Sequence, residues 1–304
     1  MSNILVYGEA LVDIVPTEQQ PLAPLLPALG GGPFNAAIAA SRLGGAVGFV
    51  SCVSNDHFGV LLHHALVDNG VDVSGVTRSD LPTSLAVTSL DKQGAASYTF
   101  YVEGTADRTA TPVVPTALPR VAAVGTLSLA LPPAAQRYID CAKSLHEQGT
   151  LLVLDPNLRH ITRTREHHDR LAALLPSVDV IKLSDEELDF FTPEELAQVP
   201  ITVVTRGGAG LLVQTPHFTT SVTAPSITVA DTIGAGDTVM GSLLVAFDTL
   251  LAGGLQVTDL TEQHWHTVLN FAASAAAVTC TRHGAQPPYR KEVAETWQQV
   301  AALV

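Results

Sequence analysis

The chain predicts an α/β fold: a mostly parallel sheet with helices on both faces, and a small β-sheet attached to it. Three observations lead there. Short apolar runs at 4–8, 47–53, 121–127, 151–155, 178–183 and 201–205 have the composition of strands buried on both faces. Helix-patterned segments alternate with them, which argues for a parallel sheet covered on both sides. One stretch, 83–103, interrupts the alternation with two β-patterned runs around a polar turn.

In chain order, the run at 4–8 leads into Glu9, and 9–16 continues with Leu11, Val12, Ile14 and Val15 around a lone Asp13. Residues 17–33 are rich in proline, leucine and glycine, receive no strand, and end in Gly30-Gly31-Gly32-Pro33. Pro33 suits a first helical turn, and the alanine-dense 35–43 continues it until Gly44-Gly45. After the strand at 47–53, Asn55-Asp56-His57-Phe58-Gly59 is a turn capping a helix over 60–68, which Asn69-Gly70 ends. A short strand at 71–76 follows. The hairpin comes next: 85–90, a turn at Asp91-Lys92-Gln93-Gly94, then 96–102, with 11–16 as a partner in a separate small sheet. From 112 the alternation resumes, with helices over 132–148 and 166–175 and a short one at 185–191. Residues 211–214 and 218–222 read as a second hairpin. A strand at 226–230, a glycine turn and a helix through 239–251 follow, then helices over 262–278 and 289–303. These elements divide into a large unit of 1–10, 34–82 and 112–304 and a discontinuous small β unit of 11–33 and 83–111.

Composition narrows the function. A length of 304 residues suits one large α/β domain with a small appendage or two ordinary domains, and with nearly half the residues apolar and 15% charged a sizeable core can form. Net charge is −13 and no basic run is visible, so nucleic acid and anionic membranes are poor partners. A polyanion such as ATP must then be held locally, by backbone N–H groups, a cation and a few arginines or lysines. Cys52, Cys141 and Cys280 are odd in number and widely spaced, with no CxxC pair, which points to buried thiols in a reduced, cytoplasmic chain. The first residues pass directly into a strand with no signal-peptide pattern. No apolar run reads as long enough to span a membrane; 121–135 comes nearest, and glycine and paired prolines break it. The histidine pairs lack companion ligands at zinc spacing and read as surface or packing residues.

Two glycine clusters carry the chemistry. In Asp231-Thr232-Ile233-Gly234-Ala235-Gly236-Asp237-Thr238 the glycines precede a helix, whose free N–H groups and positive field make an anion site. Asp237 sets a carboxylate there, held ionised by the helix field and available to take a proton beside a phosphate. Gly30-Gly31-Gly32-Pro33-Phe34-Asn35 allows close backbone approach, and Asn35 adds donors and an acceptor. Taken alone, each cluster is equally a glycine turn with a helix cap. Asp13 requires a partner if buried, either sugar hydroxyls or a core arginine. Asn157, Arg159, Ser184 and Glu187 lie just past strands, where open α/β sheets bind ligands. A carboxylate near phosphates commonly serves Mg²⁺ through water, although Asp185-Glu186-Glu187 alone is also an ordinary first helical turn. Neither GxxxxGK[ST] nor GxGxxG after the first strand is present, which disfavours P-loop enzymes and dinucleotide oxidoreductases.

Together these residues resemble the PfkB, or ribokinase-like, family of carbohydrate kinases, over nearly the whole chain. Residues 30–59 are similar to its first signature, and Asp231 to Asp237 to its second, Asp-Thr-x-Gly-Ala-Gly-Asp. The resemblance implies a three-layer α/β/α fold with a β lid at 83–103. It implies Asp237 as base on a sugar hydroxyl and Gly234, Ala235 and Gly236 as anion hole. Asp13, Gly31, Asn35 and Arg159, with Tyr101 from the lid, would hold the sugar. Thr205, Gly207 and Gly210 would line the ATP site, with Asn270 and Ala273 near the adenine. The family's Asn-x-x-Glu motif falls on Ser184 to Glu187, with Ser in place of Asn; Ser184 would touch ATP and Glu187 would serve Mg²⁺ through water. A K⁺ site is implied around Asp231, Ile233 and Gly284, though Pro288 replaces a serine often found there.

The stretch 100–108 with Cys280-Thr281-Arg282 and Pro287-Pro288 most resembles bacterial fructokinases. The implied activity is ATP-dependent phosphorylation of a sugar, D-fructose to fructose 6-phosphate, in a homodimer joined through the lid. Kinases for 2-keto-3-deoxygluconate, ribose or nucleosides are alternatives within the family. A silent sugar-binding regulator is the alternative outside catalysis.

Overall fold

The computed structural model describes residues 2–18, 20, 22–90 and 96–304; the expected turn at 91–94 lies outside them. Thirteen strands are described: β1 Ile4–Tyr7, β2 Leu11–Pro16, β3 Leu25–Gly30, β4 Val47–Ser54, β5 Asp72–Ser79, β6 Leu85–Leu90, β7 Ala96–Tyr101, β8 Val121–Gly125, β9 Leu151–Asp155, β10 Val180–Ser184, β11 Ile201–Thr205, β12 Leu211–Gln214 and β13 Thr219–Val222. The helices among them are α1 Gly32–Arg42, α2 His57–Asp68, α3 Leu127–Ala130, α4 Ala134–Glu147, α5 Arg165–Ala172, α6 Pro193–Leu196, α7 Ala235–Ala252, α8 Glu262–Cys280 and α9 Ala294–Ala301.

The main sheet runs β13-β12-β11-β10-β9-β8-β1-β4-β5 and is parallel except for the antiparallel β11-β12-β13 edge. Its central strands are apolar on both faces because helices cover both. One core layer gathers Val6, Phe49, Leu243, Phe247 and Trp265; the other gathers Tyr138, Leu145, Leu152 and Ile181. The second sheet is mixed, in the order β3-β2-β6-β7, with β2 and β6 parallel and the outer pairs antiparallel.

Three expectations are corrected. Residues 17–33 contain a strand, β3, whose first four residues are exposed, so it carries little of the apolar patterning that marks a buried strand. Residues 226–230 do not form a strand. Their side chains are largely exposed, and among the described residues their backbone meets the Cys280 carbonyl, which accepts from Ala230 N–H at 2.8 Å, rather than a neighbouring strand. The helix that follows is longer than the apolar spacing suggested, and α7 is long and apolar enough by composition to cross a membrane. It is a core helix, buried mostly against α1 and α8. Thr238 and Ser242 are buried with their hydroxyls donated to the carbonyls of Gly234 and Thr238, and the half-buried Thr249 donates to Val245 in the same way.

Small residues let α1 and α7 touch. A Cβ on Gly241 would lie 2.7 Å from Ala39 Cβ and 2.9 Å from the Ala36 carbonyl oxygen. The alanines of α1 and this glycine therefore bring two backbones together. That approach carries the start of α1 alongside the start of α7.

Candidate active site

Gly234 opens α7 at φ 77°, in the left-handed region. A Cβ there would sit 2.7 Å from Ala285 Cβ, so both conformation and space require glycine. No side chain caps this helix start. The N–H groups of Gly236 and Asp237, in the first turn, have no acceptor within the helix. They make a site where negative charge is favoured. Asp231 braces the turn from below: its carboxylate accepts from Ile233 N–H at 3.0 Å and from Gly284 N–H at 2.8 Å. Asp231, Ile233 and Gly284 are thus brought together, and the loop after α8 is tied under the glycine turn.

The first cluster meets the second at Asp237. Asn35, in the first turn of α1, donates from Nδ2 to Asp237 Oδ2 at 2.9 Å. The three glycines explain the fit. A Cβ on Gly30 would lie 2.2 Å from Asp13 Oδ2, and one on Gly31 2.9 Å from the Glu9 carbonyl oxygen. One on Gly32 would lie 2.8 Å from Asn157 Nδ2 and 3.5 Å from Asp237 Oδ1. Any larger residue at these positions would push the acids and amides apart.

Burial governs the charges. The Asp237 carboxyl is raised above the ordinary aspartate range by desolvation, against the pull of Asn35, Lys182 and Arg159. The helix field expected to hold it ionised is thus opposed by loss of water. Asp13 is pushed up to about 6, again by burial, with the Arg159 charge opposing. Glu9 is pushed up to about 7 by burial, although Ser128 and Thr126 donate to it. Its carboxylate accepts from Thr126 Oγ1 at 2.5 Å and from the backbone and hydroxyl of Ser128.

The other half of the site lies past β9, β10 and β11. Glu187 is buried, and its carboxylate accepts from Ser184 N–H at 2.7 Å, Ser184 Oγ at 2.8 Å and Leu158 N–H. Serine thus supplies a local hydroxyl bond where the motif usually has asparagine. A carboxylate has about four acceptor positions, so one remains for a metal-bound water. No group of three or more His, Cys, Asp or Glu side chains among the described residues is arranged for a metal. Glu187 therefore fits a Mg²⁺ held mainly by phosphates and water. A cavity of about 450 Å³ is lined by Asn157, Arg159, Lys182, Ser184, Glu187, Thr205 and Gly236, among others. Sheet and helix start share this one space.

Other expected residues lie further out. Gly207 and Gly210 follow β11, at φ 50° and 91°. Asn270 and Ala273 sit one turn apart on α8, the first exposed and the second buried. Tyr101 ends β7 on an open sheet edge and is 59% exposed.

Asp155 and Lys182 belong to the polar stretches at the ends of β9 and β10, but local pattern assigns neither a role. Lys182 Nζ contacts Asp155 Oδ2 at 2.7 Å, both groups being buried. The available signal was a lysine inside an otherwise apolar strand, Val180-Ile181-Lys182-Leu183.

The pfkB family carbohydrate kinase model matches residues 1–292. Fructokinase-2 of Solanum habrochaites is 34% identical over 309 residues, covering 93% of this chain and 92% of its own length. A fructokinase from Xylella fastidiosa, solved with bound ATP, superposes with a TM-score of 0.86 at 27% identity, over 98% of this chain and 99% of that one. A Vibrio cholerae fructokinase double mutant, solved with fructose, ADP and potassium, gives a TM-score of 0.82 at 27% identity, over 99% and 98%. Similarity of this extent, over a chain whose two glycine clusters converge on one aspartate, admits a single assignment: the protein belongs to the PfkB family of carbohydrate kinases.

Proposed function

We propose that this kinase phosphorylates D-fructose at its 6-hydroxyl, with ATP as donor. The observation that carries the proposal is the pairing of Asn35 with Asp237 at an uncapped helix start. It joins a hydroxyl-facing amide, a carboxylate able to accept a proton and backbone donors for an anion. In the reaction the bond from the γ-phosphorus to the β–γ bridging oxygen breaks and a bond to the sugar oxygen forms. The hydroxyl proton passes to Asp237, and late transfer suits a loose transition state. The Gly234-Ala235-Gly236 turn stabilises the equatorial oxygens through the N–H groups of Gly236 and Asp237, Ala235 N–H being donated to the Thr232 carbonyl. Asp13, Asn35 and Arg159 orient the sugar with the Gly31 backbone, and Tyr101 closes over it.

Thr205, Gly207 and Gly210 line the nucleotide side with Ser184, and Asn270 and Ala273 flank the adenine. Glu187 would hold a Mg²⁺-bound water, the ion offsetting phosphate charge. Asp231, Ile233 and Gly284 are the proposed surroundings of K⁺. The small sheet acts as the lid, excluding water from the phosphoryl group. Its exposed Leu25, Leu26 and Tyr98 form the contact between two protomers.

A coupled ADP-release assay over fructose, ribose, 2-keto-3-deoxygluconate and nucleosides tests the acceptor. Highest kcat/KM with fructose is expected, and a tenfold preference for another acceptor would reassign the substrate. Sedimentation of the wild type against Leu26→Lys tests the dimer; a monomeric wild type would remove it.

A further inference from the structure

Lys182 lies mid-strand in β10 between the buried Ile181 and Leu183. Lysines are rarely buried without a partner, and here the partner is Asp155, at 2.7 Å. An ammonium has three protons to donate, and Asp155 is its one recorded acceptor among the described residues. Desolvation pulls against its charge, but Asp155 and then Glu187 outweigh that, so it stays protonated.

What Lys182 faces is more telling than what it pairs with. It lines the cavity shared by Ser184, Glu187, Thr205 and Gly236. A Cβ on Gly236 would stand 3.6 Å from Lys182 Nζ, an ordinary contact. The ammonium therefore looks across roughly one atom's space at the first turn of α7, whose N–H groups have no helical acceptor. Two positive features face each other across that gap. Asp155, Glu187 and Asp237 balance the ammonium from the sides, and an anion placed in the gap would meet donors from both directions. A purely structural ion pair with Asp155 has no need of this placement.

We propose that Lys182 contacts the transferred phosphoryl group from the side opposite the glycine turn, and that Asp155 is a positioning residue that holds its ammonium there. This rests on the kinase reading above. The lysine is bound covalently to the sheet, so its charge stays in place as the phosphoryl moves from ADP to the sugar oxygen. The proton taken from the sugar still goes to Asp237; Lys182 gains and loses none.

The test compares Lys182→Met, Lys182→Arg, Asp155→Asn and the double variant Lys182→Met/Asp155→Asn. The double variant removes both charges and so leaves no unpaired buried ion. Expected is a kcat about 100-fold or more below wild type in Lys182→Met and in the double variant, by analogy with loss of one preorganised donor. KM for the sugar should stay within about threefold, and Lys182→Arg should recover part of kcat. A double variant that folds and regains wild-type kcat would overturn the proposal, since a structural pair behaves that way.

A second readout needs no sugar. Inorganic tripolyphosphate should raise the melting temperature of the wild type and not of the double variant. Equal shifts would also overturn the contact. If no sugar is turned over by the wild type while this anion effect depends on Lys182, the kinase reading fails and the anion contact stands.

Discussion

Asn35 Nδ2 donates to Asp237 Oδ2 at 2.9 Å although 202 positions separate the two residues. The bond favours the ionised carboxylate, which burial raises above its ordinary range. Asn35→Ala should therefore raise the Asp237 pKa further. A base must be unprotonated, so activity falls as pH drops through that pKa. The acid limb of kcat/KM is expected to move to higher pH in Asn35→Ala, with lower activity at neutral pH. A pH–rate profile with an unmoved limb would contradict the pairing's role.

Asp237→Asn keeps the shape of the side chain and removes the base. Turnover should drop by about 10²- to 10⁴-fold, the usual span for general base catalysis. ATP affinity by calorimetry should change little, because binding relies on the other half of the cavity. Near-normal turnover would reject Asp237 as the base.

The two glycines of the turn should separate stability from activity. Gly234→Ala meets a left-handed φ of 77° and an Ala285 contact at 2.7 Å, so it should lose about 1–3 kcal/mol in denaturant unfolding. A Cβ at Gly236 meets its nearest neighbour at 3.6 Å and fits. Gly236→Ala should keep wild-type stability, helped by the better helix propensity of alanine. It should lower kcat about 100-fold by filling the anion's place. Unchanged kcat in this variant would argue against phosphate binding at the turn.

Glu9 gives stability a pH dependence of definite sign. Its pKa is about 7 in the fold against a reference of 4.5, so the folded chain holds a proton that the unfolded chain releases. Its contribution is fully present below about pH 4.5 and is lost as pH rises towards 7. Glu9→Gln cannot titrate. The wild type should lose on the order of 2 kcal/mol more than the variant between pH 5 and 7.5 in urea melts. Parallel stability curves would show that Glu9 does not carry this effect.

Much of the site was legible in local pattern. The strand–turn–helix run around Gly234 and the glycines before Asn35 are contiguous, and a turn needing positive φ shows itself as glycine. Glu187 was legible for the same reason, since its bonds to Ser184 are local. β3 was not, because its exposed leucines lack a buried strand's patterning. The stretch 226–230 carried β-prone residues but no adjacent strand, and β structure exists only in pairs.

The sequence by itself determined the alternation of strands and helices, the two glycine turns and the family, because each is written in residues near one another. Tertiary structure alone decided that Asn35 reaches Asp237, that desolvation raises the Asp237 carboxyl above its ordinary range, and that Lys182 faces Gly236. These depend on the close packing of α1 on α7 and on the neighbouring places of β9 and β10. Contact and desolvation are properties of groups meeting across the fold, and no local stretch of chain contains them.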